Sequence, residues 1–338
     1  MKQPALLSDA LAALLEGVPR KELAAAAKAI SEGYRQGKPS HGISMPLQAL
    51  AYAVARMPAT YAASSAVFAR LAEVMPDLRP ASLLDVGAGT GAASWAAVTQ
   101  WPGIQTITML EPNPALRNLA RRLAEAHLIE SSALAKAEFL SGNLDAGKSF
   151  LDLEVGADLV VASYVLAELS EDKAGAVASD LWQGTHSVLA LIEPGTPQGF
   201  ARIRAARAAL IDVGAHVAAP CTHDNECPMT GWSVRASGSD QQNDWCHFSQ
   251  RLSRSRDHML LKDANVPFED ERYSYVVVTR AKLAKLASGA RILAPPLEAK
   301  PGRTLKLCNE SGLRAQFVAS RDKDEYRRVR KRGWGDLF

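Results

Sequence analysis

The sequence predicts an α/β fold, a doubly wound and mostly parallel sheet, on three observations. From Ala81 onward, apolar runs alternate with Ala- and Leu-rich stretches of helical spacing. Such alternation builds right-handed strand–helix–strand crossovers. The first apolar run, Leu83-Leu84-Asp85-Val86, leads into Gly87-Ala88-Gly89-Thr90-Gly91 and then Ala92-Ala93-Ser94-Trp95. Glycines at that junction allow a sharp turn and let a ligand approach the free N–H groups of a helix start. The expected C-terminal strand ends carry acidic or polar residues, where ligands of this architecture bind.

Gly87, Gly89 and Ala92 also fit the G-x-G-x-x-G/A dinucleotide fingerprint, so the glycines alone do not choose a ligand. Asp85 tilts the choice, because a carboxylate repels a pyrophosphate and suits the cationic amino-acid end of S-adenosylmethionine. With Asp85, the stretch resembles motif I of class I S-adenosylmethionine-dependent methyltransferases, which implies their Rossmann-like fold. The resemblance assigns Asp85, Gly87, Ala88, Gly89 and Gly91 to cofactor binding, with a nicotinamide-dependent enzyme as the alternative. Glu111, 22 residues after Gly89, closes the second strand and can accept hydrogen bonds from both ribose hydroxyls of an adenosine. Asn143 follows the third strand where many methyltransferases carry an Asp against adenine. Ser163 ends the fourth strand and completes the cofactor set.

In chain order, residues 7–34 read as helix, with Leu7, Leu11, Leu14 and Leu15 on one face. Residues 37–42 form a turn-rich linker, and a helical pair from Pro46 to Met75 is expected to break at Met57-Pro58. Arg56-Met57-Pro58-Ala59-Thr60-Tyr61 is an unusual string just upstream of the core. Strands are expected at 82–87, 104–110, 136–140, 157–163 and 187–193, with helices at 90–100, 113–128, 171–184 and 197–213. His216–Ala219 and Tyr273–Thr279 are β runs that add two last, partly antiparallel strands. The cysteine-bearing segment 220–265 is inserted between them, including an expected helix from Phe248 to Lys262. Short strands over 285–320, broken at Pro295-Pro296 and Lys300-Pro301-Gly302, make a small β extension. The expected division is a helical region over 1–75, a methyltransferase core over 76–282 and a basic extension over 283–338.

The 338 residues are 47% hydrophobic and 22% charged, the composition of a globular protein. No apolar run approaches the roughly 20 residues needed to cross a bilayer, and no secretory signal opens the chain. A cytoplasmic chain, monomeric when free and without a membrane partner, is the expectation. Net charge is +3 but lopsided: residues 249–338 hold 20 Lys and Arg against 11 Asp and Glu. A basic end on a mildly acidic body suggests a polyanion, RNA first.

The four cysteines are Cys221, Cys227, Cys246 and Cys308, spaced C-x5-C-x18-C-x61-C. Inside a cell, disulfides are disfavoured, and the spacing lacks the C-x2-C knuckles of zinc ribbons. By composition alone, a metal site and unrelated thiols are equally open. Four features together resemble the methyltransferase-like family of small-ribosomal-subunit assembly proteins: Leu83–Gly91, Cys221-x5-Cys227-Pro228, Trp245-Cys246-His247-Phe248-Ser249-Gln250-Arg251, and Pro267-Phe268-Glu269-Asp270-Glu271-x-Tyr273-Ser274-Tyr275. The resemblance spans roughly residues 30–338 and implies association with small-subunit rRNA. It also implies a [4Fe-4S] cluster on Cys221, Cys227, Cys246 and Cys308, with zinc on the same thiolates as the rival. Arg251, Arg254 and Arg256 on the expected helix would then grip phosphates. So would Arg327, Arg328, Arg330, Lys331 and Arg332 in a tail disordered until docked.

The stretch after the fourth strand, Ser163-Tyr164-Val165-Leu166-Ala167-Glu168, has neither an Asn/Asp-Pro-Pro-aromatic string nor a Pro-Cys nucleophile. No catalytic base is legible, although Tyr164 and Glu168 could shape an acceptor pocket. The expected function is S-adenosylmethionine-dependent methylation of small-subunit rRNA during ribosome assembly. The alternative is a non-catalytic assembly factor that keeps the fold.

Overall fold

The computed structural model describes residues 1–35, 42–125, 132–142, 155–229, 244–283 and 289–338. Three helices come first: α1 (Ala5–Leu14), α2 (Arg20–Arg35) and α3 (Pro46–Val74). The single helix expected over 7–34 is thus two, parted where Gly17 takes φ +72° and Pro19 follows. The break expected at Pro58 does not occur. The α3 helix runs 29 residues with Pro58 inside, although an interior proline loses a backbone bond and costs about 3 kcal/mol. Burial offsets that cost, because Met57, Pro58, Ala59, Tyr61, Ala62 and Ala63 all lie in the core around it.

The alternating segment follows as β1 (Ser82–Val86), α4 (Ala92–Gln100), β2 (Thr106–Leu110), α5 (Pro114–Glu125), β3 (Glu138–Leu140) and β4 (Ala157–Ser163). It continues as α6 (Ala174–Gln183), β5 (Thr185–Pro194), α7 (Pro197–Asp212) and β6 (His216–Ala219). After it come β7 (Phe248–Ser253), α8 (Arg256–Leu261) and β8 (Phe268–Thr279). The sheet order is β3-β2-β1-β4-β5-β8-β6. Strands β1 to β5 pair in parallel, and β8 runs antiparallel between β5 and β6. The order reverses between β1 and β4, which places the ligand crevice at the C-terminal ends of these strands. Both faces are covered, so β1, β4 and β5 are buried along nearly their whole length.

The helix expected from Phe248 to Lys262 is a strand for its first half. Residues Phe248–Ser253 alternate in burial and pair antiparallel with Phe268–Tyr273 of β8. The helix begins only at Arg256, capped by the Ser255 hydroxyl, which accepts from the His258 N–H at 3.1 Å. Arg251 and Arg254 therefore lie on and just after an edge strand, and Arg256 alone opens a helix.

A second sheet closes the chain: β9 (Arg291–Ile292), β10 (Leu297–Ala299), β11 (Gly302–Asn309) and β12 (Gly312–Ala319), followed by α9 (Lys323–Val329). Leu305, Leu307 and Val318 on one face of it bury against Val329 of α9. The tail expected to be disordered is thus folded. Phe338 and Ala290 exchange backbone bonds at 2.8 and 3.1 Å, and Gly335 N–H donates to Ile292 at 2.8 Å.

Candidate functional site

The glycine loop forms the strand-to-helix turn that the sequence implies. Gly87, Gly89 and Gly91 all take positive φ, at +66°, +55° and +83°, a region that side chains other than glycine rarely enter. A Cβ on Gly87 would stand 2.5 Å from Val165 Cγ2, whereas one on Gly89 would meet nothing within 4 Å. The first marks a close approach to the turn after β4, and the second marks open space.

Asp85 serves the loop and does not line the cavity. It is 1% exposed, and one carboxylate oxygen accepts from Ser94 N–H at 3.0 Å and Ser94 Oγ at 2.7 Å. These bonds tie the first turn of α4 to β1. Burial pushes the Asp85 carboxyl up to about 7, with the Ser94 bonds opposing and the Glu111 charge adding. Gly91 likewise stands outside the cavity wall as the N-cap of α4.

Glu111, just past β2, is the acid that faces ligand space. Its Oε2 accepts from Gly89 N–H at 2.7 Å and its Oε1 from Asn113 N–H at 2.8 Å. Burial raises its pKa, opposed by those two N–H groups. Asn113 caps α5 through its side-chain oxygen and donates to Ile43 O at 2.8 Å. Each Glu111 oxygen keeps acceptor capacity, the property that two ribose hydroxyls require.

A narrow cavity opens beside these residues, lined by Gly87, Ala88, Gly89, Glu111 and Ser163 together with Tyr164, Val165 and Glu168. Asn143, the remaining cofactor candidate, lies outside the described residues. The helix α3 supplies Tyr52, Met57 and Thr60 to the wall. Sequence reasoning assigned this helix no chemistry. The signal was the Arg56–Tyr61 string, whose helical spacing sets Tyr52, Arg56 and Thr60 on one stripe.

Tyr164 closes the end of β4 with φ +63°, unusual for a residue other than glycine. Its N–H donates to Ile192 O at 2.7 Å, and its hydroxyl donates to Glu271 Oε1 at 2.7 Å. Arg56 reaches the same oxygen at 3.4 Å and stands 5.8 Å from the Tyr164 ring centroid. Burial, then the Glu271 charge, holds the Tyr164 pKa well above the ordinary phenol value. The phenol stays protonated and the carboxylate is shared, so neither is a free base. Behind them Glu193 is fully buried. Its Oε1 accepts from Leu166 N–H at 2.8 Å, its Oε2 has no partner among the described residues, and burial pushes its pKa up to about 8.

The four cysteines gather from three segments. Cys221 and Cys227 flank a loop after β6, which buried Arg207 of α7 clamps by donating to His223 O at 2.9 Å and Asn225 O at 2.8 Å. Cys246 precedes β7, with its carbonyl accepting from Ser274 Oγ at 2.9 Å, and Cys308 lies in β11. Burial and then the charges of the other three cysteines push Cys246 well above an ordinary thiol. Burial and then Cys221 and Cys227 push Cys308 up to about 12. The four thiols are thus electrostatic neighbours. They do not form a closed cage, since among the described residues no three His, Cys, Asp or Glu side chains are grouped to hold an ion. A set of soft sulfur donors fits a thiolate-bound centre in chemistry, though the expected ligand geometry is not present.

The basic residues are only partly available to a polyanion. Arg251 makes two bonds to Asp270, at 2.8 and 2.7 Å, and lies 4.1 Å from the Phe268 ring centroid. Arg254 pairs with Glu269 at 3.2 Å, in a cluster where Lys262 reaches that carboxylate at 2.6 Å. Arg256, Arg328, Arg330, Lys331 and Arg332 are exposed, and exposed Arg327 pairs with Asp324 at 3.4 Å.

The strand order, the glycine loop and the acid after β2 define a class I methyltransferase fold. The family profile described as mitochondrial small ribosomal subunit Rsm22 matches residues 46–338, and the chain belongs to that family. It is 28% identical over 305 residues to the human mitochondrial ribosome assembly protein METTL17, covering 86% of this chain and 62% of that protein. It is 28% identical over 334 residues to the mitochondrial Rsm22-cox11 tandem protein 2 of Schizosaccharomyces pombe, covering 86% of this chain and 43% of that protein. The chain therefore spans less than two thirds of either relative. Among solved structures it is similar to magnesium protoporphyrin IX methyltransferase from Synechocystis with bound SAH (TM-score 0.41, 13% identity, 66% of this chain and 84% of that one). It is also similar to the plantazolicin methyltransferase BpumL in complex with SAH (TM-score 0.40, 10% identity, 78% and 98%). The expectation of a cytoplasmic protein is corrected by these findings, because the family and both curated relatives are mitochondrial. No described helix is long and apolar enough to cross a membrane.

Proposed function

We propose that this chain binds S-adenosylmethionine and serves mitochondrial small-subunit assembly by docking on its rRNA. The observation that carries the cofactor reading is Glu111. Its carboxylate is fixed by the N–H groups of Gly89 and Asn113 and faces the cavity that the glycine loop lines. The family carries the partner reading. Bound S-adenosylmethionine supplies an electrophilic methyl group. The chain's own part is to hold the nucleoside on Glu111, keep the loop rigid through Asp85 and Ser94, and wall the acceptor side with Tyr52, Thr60 and Tyr164. Catalysis would then rest on positioning rather than on a side-chain base.

A second reading, a non-catalytic assembly factor with the cofactor as a resident ligand, is favoured by the Tyr164–Glu271–Arg56 cluster, which engages both the phenol and the Glu271 carboxylate. For the cysteines the proposal is a [4Fe-4S] cluster on Cys221, Cys227, Cys246 and Cys308, with zinc as the rival. Its support is the chemistry of four soft donors that act on one another electrostatically. Calorimetry with S-adenosylmethionine and with NAD tests the cofactor. Transfer of a labelled methyl group to immature small subunits then separates enzyme from factor. Binding of NAD with no binding of S-adenosylmethionine would overturn the cofactor reading.

A further inference from the structure

The second sheet buries one face against α9 and leaves part of the other open. On the open face, Leu297 of β10, Thr304 of β11 and Phe317 of β12 stand in one cross-strand row, since Leu297 pairs with Thr304 and Thr304 with Phe317. Leu297 is 67% exposed and Phe317 52%, two of the larger apolar side chains that the fold leaves in water. The Phe317 ring leans over Gly302, where an added Cβ would stand 2.9 Å from Phe317 Cζ. Glycine at 302 thus lets the ring reach across the sheet, and the register of β11 against β12 fixes it there. Stacking of a ring on a glycine stabilises a sheet by itself, but it accounts for one side of the ring and leaves the other to solvent.

The surroundings identify what that side would meet. Exposed Lys300 lies in the turn that ends at Gly302, and exposed Arg321 follows β12. Residues 283–338 carry 13 Lys and Arg against 6 Asp and Glu. A fixed aromatic ring in a cationic field suits unpaired nucleotides, whose bases stack on the ring while phosphates take the cations.

We infer that the open face of this sheet, centred on Phe317 and flanked by Leu297, Lys300 and Arg321, is a docking surface for single-stranded RNA. The inference rests on the rRNA-docking reading above and moves the stacking contact away from the paired arginines of β7. Fluorescence anisotropy tests it, using the full chain and an unstructured, fluorescein-labelled RNA of about 20 nucleotides, longer than the sites such single surfaces span. F317A should weaken binding about tenfold, the range that base–aromatic stacking supports, with the salt slope unchanged. F317Y should bind like wild type and F317L like F317A, while K300Q with R321Q should flatten the salt slope. Melting curves of F317Y and F317L should stay near wild type, and F317A should lose only the ring's contact over Gly302, because Phe317 is half in water. Wild-type affinity in F317A overturns the inference. So does an F317L protein that binds as wild type, since apolar area rather than stacking would then be the cause. Salt-dependent RNA binding indifferent to Phe317 removes this surface alone, whereas no RNA binding by the wild-type chain removes the rRNA reading with it.

Discussion

Tyr164 and Glu271 meet at 2.7 Å, joining the end of β4 to the projecting half of β8, and Arg56 of α3 approaches the same oxygen from a third element. Three segments far apart in sequence are thus fixed to one carboxylate at the wall of the cavity. Y164F removes a hydrogen bond to a charged acceptor and should cost about 1–2 kcal/mol. E271Q should cost at least as much, since it also removes the counter-charge of Arg56. Urea unfolding of both single variants and the double variant measures the coupling. Strictly additive losses would mean that the cluster does not act as a unit.

Asp85 and Glu111 should separate by function. Among the described residues Asp85 accepts only from Ser94, so D85N, whose amide oxygen can still accept, should keep S-adenosylhomocysteine affinity within a few-fold of wild type. E111A should lose about tenfold or more, because the ribose acceptor is gone. Calorimetry at one pH reads both, and a D85N loss as large as that of E111A would restore Asp85 to the cofactor site.

The same carboxyl gives a pH dependence with a definite sign. Its folded pKa is raised from 3.8 to about 7, so the folded state favours the proton. Its contribution is complete below about pH 4 and is lost as pH rises through about 7. Glu193, raised from 4.5 to about 8, acts in the same direction and slightly later. Wild-type stability should therefore decline between pH 4 and 8 more than that of D85N or E193Q. Urea midpoints across that range give the comparison, and parallel curves would show that neither buried acid titrates there.

The core was legible because its pattern and its chemistry agree: buried parallel strands read as apolar runs, and the glycine loop needs positive φ. Glu111 was legible from its spacing, whereas the role of Asp85 was not. An acid before a glycine loop reads alike whether it faces a ligand or the Ser94 hydroxyl. Phe248–Ser253 misled because its alternation is short and its partner lies 15 or more residues away in β8, so the helix start at Ser255 masked it. The continuity of α3 through Pro58 is a tertiary effect, set by burial on several sides rather than by local propensity. Tyr52 and Thr60 reach the cavity for the same reason: the packing of α3 against α4, β7 and β8 turns their stripe inward.

The tail is bound at several points, and its removal should be costly. Asp336 pairs with Arg70 of α3 at 2.7 Å, buried Arg291 donates to Gly335 O at 2.9 Å, and Trp334 meets the His247 ring edge-on at 4.9 Å. Val329 is fully buried against Leu305 and Leu307. Deleting residues from Tyr326 onward should therefore lower the melting temperature of the whole chain as well as any RNA affinity. Reduced RNA binding at an unchanged melting temperature would return the tail to the role of a free basic arm.

The cysteines carry the most consequential prediction, because they join parts that the sheet alone does not hold. Cys221 and Cys227 hang on the Arg207 clamp, Cys246 enters β7, and Cys308 belongs to the second sheet. A shared centre would pin that sheet to the core, and its binding energy would become folding energy. Each of C221S, C227S, C246S and C308S should then lower iron content and melting temperature together, to a similar extent. In the apo protein the same changes should be milder, since Cys221, Cys227 and Cys246 are only half-buried and Cys308 alone lies in the core. Protein prepared without oxygen should be brown, with about four iron atoms per chain if the centre is [4Fe-4S]. A colourless protein with one zinc keeps the shared site and changes its metal. A protein that binds neither, and in which the four serine variants melt independently, would reduce the cysteines to unrelated thiols.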